Sequence, residues 1–171
     1  ETACVFDFTV EDIIGMALYN RKKEKTSSKE IIRHAMEELK ITDFSGRNIQ
    51  TLSGGERKMV FLARAVAQGV DTIILDEPTN HLDICHQLFL LNYLKQSGKT
   101  ILIVIHDLRL ASYYCDTLYL MEEGRVLSHG TPQKVLTRDH VEKVFGISGY
   151  MVEREDGEAD FAIDFEKRIE N

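Results

Sequence analysis

A serine and two glycines stand directly before a helical run, and this arrangement can bind an anion. The segment reads Leu52-Ser53-Gly54-Gly55-Glu56, followed by helix-forming residues over 57–67. The first backbone N–H groups of a helix have no partner within it, and the helix dipole adds partial positive charge there. Glycine brings no Cβ that would block a ligand. The motif alone fits a phosphate site and, equally, an ordinary serine-capped helix start.

Two consecutive carboxylates, Asp76 and Glu77, follow the short apolar run Thr72–Leu75. Such runs indicate strands buried on both faces of a parallel sheet, and open α/β folds bind ligands at the carboxyl ends of these strands. Asp76 can hold Mg²⁺ through water, because magnesium prefers oxygen ligands and keeps much of its hydration shell. Glu77 can orient or deprotonate an attacking water. The residues alone also fit a pair of solvated carboxylates before a loop.

His106 follows a second apolar run, Thr100–Ile105, which predicts a neighbouring parallel strand. We therefore expect His106 to lie at the same sheet edge as Asp76 and Glu77. A histidine in that place can donate a hydrogen bond to a transferred phosphoryl group. A lone histidine after a strand is, however, usually structural.

Two further patterns contain functional residue types but receive structural interpretations. Gly98-Lys99-Thr100 ends like the phosphate-binding motif G-x-x-x-x-G-K-[ST], but position 93 is a tyrosine and the segment precedes a predicted strand instead of opening a helix. His81, Asp83, Cys85 and His86 are metal-ligand types, yet they lack the paired spacing of zinc sites. We expect neither a P-loop nor a metal centre at these positions.

The elements that must position these residues differ along the chain. Up to about residue 50 the sequence predicts helices, with capping patterns at Thr9 and Ser27. The later region alternates strand and helix, and the helix that connects the two apolar strands carries Ile84, Leu88, Leu91 and Leu94 on one face. This predicts a right-handed β-α-β unit.

A predicted hairpin over 117–128 and two short helices over 132–136 and 140–145 follow this unit. Residues 151–171 carry eight acidic and three basic side chains. This charge predicts a solvated acidic tail.

The composition excludes several classes of protein. The chain has 171 residues, of which 43% are apolar and 29% charged, as is typical of a globular domain. Its net charge of −7 argues against binding to nucleic acid. No run approaches the roughly 20 apolar residues that span a bilayer, and the first ten residues do not read as a signal peptide. Three cysteines without C-x-x-C spacing indicate reduced thiols in a cytosolic protein.

In their order along the chain, the motifs resemble those of the ATP-binding-cassette ATPases. Leu52–Glu56 matches the signature motif, Ile73–Glu77 the Walker B strand, Asn80-His81-Leu82-Asp83 the D-loop, and His106 the switch histidine. The resemblance implies an α/β fold. Its core would be P-loop NTPase-like, a mostly parallel sheet flanked by helices, with a helical subdomain beside it.

The resemblance also implies ATP and Mg²⁺ as cofactors. The site residues that it implies are, for catalysis, Glu77 and His106; for nucleotide binding, Ser53, Gly54, Gly55, Glu56 and Asp83; and for Mg²⁺ through water, Asp76. In the family, two ATPase subunits form a head-to-tail dimer. Each signature motif then contacts the γ-phosphate that the opposite subunit holds.

The motif G-x-x-x-x-G-K-[ST] is found nowhere in the chain, so we expect an incomplete core that is inactive by itself. The resemblance divides the chain into a helical subdomain over 1–50, the C-terminal part of the nucleotide-binding core over 51–150, and the acidic tail over 151–171. The segments Phe6–Asp12 and Asn80–Ile84 resemble importer ATPases for iron complexes, haem or cobalamin.

The expected function is that of part of the ATP-hydrolysing subunit of such an importer. The implied partners are a second ATPase subunit, polytopic membrane permease subunits and, indirectly, a substrate-binding protein, with no nucleic acid. The implied location is cytoplasmic, on the inner face of the cell membrane through the permease. Two alternatives are a non-catalytic truncated cassette that serves as an interaction module, and an ATPase of the same class without a transport role.

Overall fold

A computed structural model describes residues 7–20, 26–153 and 159–164. The chain divides into two compact units, Glu1–Val104 and Ile105–Asn171. The family-based division at residues 50 and 150 is a different one and stays a prediction. No helix within the described ranges is long and apolar enough to cross a membrane.

The first unit contains three helices that pack together and, after them in the chain, two parallel strands joined by a fourth helix. Its helices and strands are α1 (Val10–Gly15), α2 (Ser28–Glu38), α3 (Gly54–Gln68), β1 (Thr72–Asp76), α4 (Ile84–Gln96) and β2 (Thr100–Val104). Helices α1 and α2 both pack on α3. The side chains of Val10, Ile14, Leu39 and Val60 are almost completely buried in this unit.

Helices α1 and α2 begin at the residues that the sequence predicts. Thr9 and Ser27 each form a capping box, in which the hydroxyl accepts a hydrogen bond from the third helical N–H. The carboxylates of Asp12 and Glu30 accept the return bond from the cap backbone, at 2.9 Å in both cases. These bonds satisfy N–H groups that the helix itself leaves without a partner.

Strands β1 and β2 are parallel, with Thr72 opposite Thr100 and Asp76 opposite Val104. Their carboxyl ends therefore lie at one edge, as predicted. The prediction that both faces of the strands are buried is wrong. Ile73 is only 4% exposed, whereas Ile74 is 72% exposed. Successive strand residues point to opposite faces, and the described residues cover only one of them.

The apolar face of α4 also differs from the prediction. Leu90, Leu91 and Leu94 are buried, whereas Ile84 and Leu88 are exposed. Apolar residues lie on several sides of this helix, so helical periodicity alone is compatible with more than one buried face. Packing within the unit selects the face.

The second unit consists of short helices and two antiparallel hairpins. Its helices and strands are α5 (Leu108–Tyr114), β3 (Leu118–Glu122), β4 (Arg125–Gly130), α6 (Pro132–Val135), α7 (Arg138–Phe145), β5 (Gly149–Glu153) and β6 (Ala159–Ile163). The β3–β4 hairpin confirms the one predicted over 117–128. Leu136, Val141 and Phe161 form a buried cluster, against which Leu108 and Met151 pack.

The segment predicted as a solvated acidic tail contributes to this core. Gly149–Glu153 pairs with Ala159–Ile163, and Phe161 is only 1% exposed. Asp160, beside Phe161, pairs with Arg109 of α5 at 3.1 Å. Asp160 is the one acidic residue of β6 and lies next to the buried Phe161, so the net charge of the segment concealed a strand that contributes to the core. The positions 154–158 and 165–171 of the predicted tail lie outside the described residues.

Candidate functional site

The end of β1 and the loop that follows it carry the two predicted carboxylates, Asp76 for metal binding and Glu77 for catalysis. Asp76 is the last residue of β1, and the N–H of Glu77 donates to the Val104 carbonyl of β2 at 3.1 Å. The side-chain amide of Asn80 donates to the Glu77 carboxylate. The parallel pairing and this amide therefore both fix Glu77 at the strand edge.

Helix α4 stabilises the far part of the same loop. The side-chain amide of Gln87 donates to the carbonyls of Thr79 and Leu82, at 3.1 Å in both cases. Thr79 is buried, and a buried backbone carbonyl without a partner would be costly. This side chain was not identified from the sequence, because a glutamine in a helix carries no pattern that points to a loop carbonyl.

The capping box of Ser53 and Glu56 builds the start of α3. The Ser53 hydroxyl accepts from the Glu56 N–H at 3.2 Å, and the Glu56 carboxylate accepts from the Ser53 N–H at 2.7 Å. The hydrogen bond from the Ser53 backbone first, and then one from the Ser53 side chain, lower the pKa of Glu56 below its ordinary value. The Glu56 carboxylate is thus ionised at neutral pH and engaged by the cap. Its predicted contact with the nucleotide stays a prediction.

Gly54 and Gly55 leave their backbone N–H groups available to a ligand. The first hydrogen bond of the helical ladder runs from Arg57 N–H to the Ser53 carbonyl, at 3.0 Å, so both glycine N–H groups precede it. No atom lies within 4 Å of the position that a Cβ on Gly54 would take. An anion such as a phosphate group fits this open, N–H-lined helix start.

Gly55 meets different surroundings. A Cβ at this position would lie 2.8 Å from Cδ2 of Leu82 and 3.6 Å from the His81 carbonyl oxygen. The loop after β1 therefore approaches the first turn of α3 closely. A larger residue at this position would require the Leu82 side chain to shift.

A cavity of about 430 Å³ brings together the five predicted nucleotide-binding residues. These are Ser53, Gly54, Gly55, Glu56 and Asp83. The remaining wall is largely apolar and includes Phe44, Met59, Leu82 and Phe89, with Cys85 and His86 at the start of α4. The predicted residues thus share one cavity, although their individual roles stay predictions.

Asp83 is the N-cap of α4. Its carboxylate accepts from the His86 backbone N–H at 2.9 Å and lies 2.7 Å from Nδ1 of the His86 ring. These two interactions, the backbone bond first, lower the pKa of Asp83. Two of the four metal-ligand types over 81–86, Asp83 and His86, therefore bind each other at the start of α4.

Asp76 has the ligand chemistry that a Mg²⁺ ion prefers. Asp76 is exposed and offers hard carboxylate oxygen atoms at the end of β1. Within the described ranges, no group of three histidine, cysteine, aspartate or glutamate side chains is placed to hold a metal ion. An ion at Asp76 would therefore take its other ligands from water and from phosphate oxygens. This role of Asp76 stays a prediction.

His106 lies two residues beyond the end of β2 and is exposed. It belongs to the second compact unit and precedes Asp107, whose carboxylate caps α5 by accepting from the N–H groups of Arg109 and Leu110. The predicted contact of His106 with a phosphoryl group stays a prediction.

The segment Gly98-Lys99-Thr100 has the structural role that we expect for it. Gly98 has a positive φ of 67° after the end of α4, and Thr100 begins β2. The Lys99 ammonium donates to the Val70 carbonyl at 2.5 Å. The segment leads into a strand, whereas a P-loop opens a helix.

Known proteins are similar to this chain in sequence and in fold. A family profile described as ABC transporter matches residues 4–80. The iron(3+)-hydroxamate import ATP-binding protein of Bacillus subtilis is 41% identical over 71% of this chain and 47% of its own length. The hemin import ATP-binding protein of Pseudomonas fluorescens is 38% identical over 83% of this chain and 59% of its own length.

A solved structure supports the fold. A metal-chelate-type ABC transporter in an inward-facing conformation superposes with a TM-score of 0.79 and 23% identity, covering 94% of this chain and 68% of that one. The chain spans about half of the length of the curated relatives that it matches. In sequence and in fold, the chain is thus similar to the ATP-binding proteins of ABC transporters.

Proposed function

We propose that the chain is part of the ATP-hydrolysing subunit of an importer for an iron complex or a similar metal chelate. The observation that carries the proposal is that the loop with Glu77 lies close to the glycine-rich start of α3. The sequence with this arrangement is 41% identical to an iron(3+)-hydroxamate import ATP-binding protein. The second relative carries the name of a hemin importer. Iron(3+)-hydroxamate and hemin are both metal chelates.

The chemistry follows from the strand edge. ATP would supply the phosphoryl group, and a bound Mg²⁺ would neutralise the charge that develops on it. Asp76 would hold the ion through water, and Glu77 would accept the proton of an attacking water molecule. The Asn80 amide that binds the Glu77 carboxylate would orient it. His106 would donate a hydrogen bond to the phosphoryl oxygens.

The helix start of α3 serves a second subunit in this proposal. Ser53, Gly54 and Gly55 would contact the γ-phosphate held by the opposite ATPase subunit, with Glu56 and Asp83 beside them. The open space at Gly54 supports this role, because a phosphate oxygen can approach the backbone there. The chain alone, which contains no P-loop motif, would then neither bind ATP tightly nor hydrolyse it.

The remaining partners are proposed from the names of the relatives. An importer requires polytopic permease subunits and, through them, a substrate-binding protein. The ATPase subunit would lie in the cytoplasm against the inner face of the membrane, held by the permease. The substrate class is tested by uptake of radiolabelled iron-hydroxamate and haem in cells with and without the gene, and unchanged uptake of both would contradict it.

Replacement of Glu77 tests the catalytic assignment. In the full-length ATPase subunit, Glu77→Gln should lower turnover by about 10²–10⁴-fold, because the amide cannot accept the proton. Asp71→Asn is the matched control, since Asp71 is an exposed carboxylate just before β1, at the opposite end of the strand. Steady-state hydrolysis of MgATP gives both values. Turnover of Glu77→Gln within threefold of wild type would remove the general-base role.

If the full-length wild-type protein does not hydrolyse ATP, the alternative of a non-catalytic interaction module would be favoured instead. In that case membrane recruitment without hydrolysis would be the remaining function. An active enzyme whose loss leaves metal-chelate uptake unchanged would favour an ATPase without a role in this transport.

A further inference from the structure

The loop after β1 follows a backbone course that its residues do not favour. Glu77 and His81 have φ angles of 44° and 62°, in the left-handed region that residues other than glycine rarely adopt. Such conformations persist only where surrounding groups hold them. The groups that hold this loop therefore determine where the Glu77 carboxylate lies.

One lysine of α3 binds this loop at two points. Lys58 is partly buried, and its Nζ donates to the carbonyl oxygen of Glu77 at 2.9 Å and to that of Asn80 at 2.7 Å. The Asn80 N–H also donates to the Glu77 carbonyl, at 3.2 Å. An ammonium group is a stronger donor than a neutral one. Lys58 thus fixes both ends of the turn that contains the proposed general base.

The same lysine belongs to the helix whose start lines the cavity. Lys58 follows Gly54 by four residues, about one helical turn. Gly55, in the first turn, lies so close to Leu82 that a Cβ would contact it at 2.8 Å. Helix and loop are therefore joined at two places, by a charged hydrogen-bonding group and by close packing.

We propose that Lys58 is a positioning residue for ATP hydrolysis, which sets the place of Glu77 and couples it to the start of α3. The inference rests on the proposed function. When the start of α3 engages the nucleotide of a second subunit, a shift of α3 passes through the ammonium group to the carbonyls of Glu77 and Asn80. Lys58 acts through the backbone of Glu77 and not on the reacting atoms.

A purely stabilising role for Lys58 makes a different prediction, and Lys99 provides the comparison. Its ammonium also donates to a backbone carbonyl, that of Val70, at 2.5 Å and in a partly buried place. Val70 lies before β1, whereas Glu77 lies after it. Lys99→Met therefore removes a bond of the same kind at the other end of the strand.

Steady-state kinetics and thermal unfolding of the full-length subunit test the proposal. Lys58→Met should lower kcat about tenfold or more, because displacement of a catalytic group by 1 Å can cost about 100-fold. Its KM for MgATP should change less than about twofold. Lys58→Arg keeps a charged donor and should restore kcat to within about threefold of wild type. Lys99→Met should keep kcat within about twofold of wild type, even if it lowers Tm as much as Lys58→Met does.

Two outcomes would overturn the proposal: a wild-type kcat in Lys58→Met, or equal losses of kcat in Lys58→Met and Lys99→Met. If Lys58→Met does not fold, Lys58→Gln replaces it, with the same split between kcat and KM expected. The proposed function fails separately, through a wild-type subunit without hydrolysis or an unaffected Glu77→Gln. A large effect of Glu77→Gln with none of Lys58→Met would refute the Lys58 proposal alone.

Discussion

Single residues at the start of α3 differ more than their sequence suggests. Gly54 and Gly55 are neighbours, yet a Cβ on Gly54 meets nothing within 4 Å, and one on Gly55 meets Leu82 at 2.8 Å. The first glycine leaves room for a ligand, and the second leaves room for the loop after β1. One motif thus combines a binding requirement with a packing requirement.

Alanine substitutions separate these two requirements. Gly55→Ala should lower the free energy of unfolding by about 1–2 kcal/mol relative to Gly54→Ala, because over-packing typically costs 1–3 kcal/mol. Both variants gain similar helix propensity, so their difference isolates the contact with Leu82. Urea denaturation of the chain gives the two values. Equal stabilities would show that Leu82 moves aside without cost.

The sequence identified the residues of the site better than the groups that hold them. Ser53 could be predicted as a candidate because a glycine-rich helix start is a local pattern, whereas Asp83 was predicted only from the resemblance of Asn80–Asp83 to the D-loop. Lys58 and Gln87 could not, since their hydrogen bonds end on backbone carbonyls of a loop. The course of that loop depends on positive φ angles that no residue type there predicts.

At the scale of elements, local signals predicted helix starts, and tertiary packing decided which faces are buried. The capping boxes of Thr9 and Ser27 depend on residues three positions apart and are present as expected. The buried faces of β1 and α4 depend on which neighbours cover them. The prediction failed for β1, and for α4 it holds at Leu91 and Leu94 but not at Ile84 and Leu88. The β6 strand was missed because the net charge of residues 151–171 directed the prediction toward a solvated tail.

The contribution of β6 to the second unit can be measured. Phe161→Ala should lower the free energy of unfolding by about 3–5 kcal/mol, as is usual for buried aromatic residues. Ile163→Ala, in the same strand, is the matched control because Ile163 is 38% exposed and Phe161 only 1%. Chemical denaturation followed by circular dichroism suits a chain without tryptophan. Similar small losses in both variants would contradict a structural role of this strand.

At the scale of the whole molecule, one apolar sheet face lacks a cover among the described residues. Ile74 is 72%, Leu102 56% and Val104 48% exposed, and register places all three on the same face of β1 and β2. Exposed apolar faces and open strand edges favour association between chains.

We therefore expect this chain to self-associate in solution. Ile74→Lys should reduce association, because it places a charge in the middle of the exposed face. Tyr19→Lys is the control, since Tyr19 is 94% exposed but lies outside the sheet, in the 3₁₀ turn Met16–Asn20. Light scattering over a range of concentrations measures both. A monodisperse monomer of the wild-type chain would contradict the expectation.

The exposed cysteine of the cavity offers a direct way to observe it. Cys85 lines the cavity beside Gly54 and is exposed, whereas Cys115 is only partly exposed. A thiol-reactive dye on Cys85 would lie at the surface that a second subunit covers in the proposed dimer. Its fluorescence would then report, on a native residue, when that surface is closed and when it opens again.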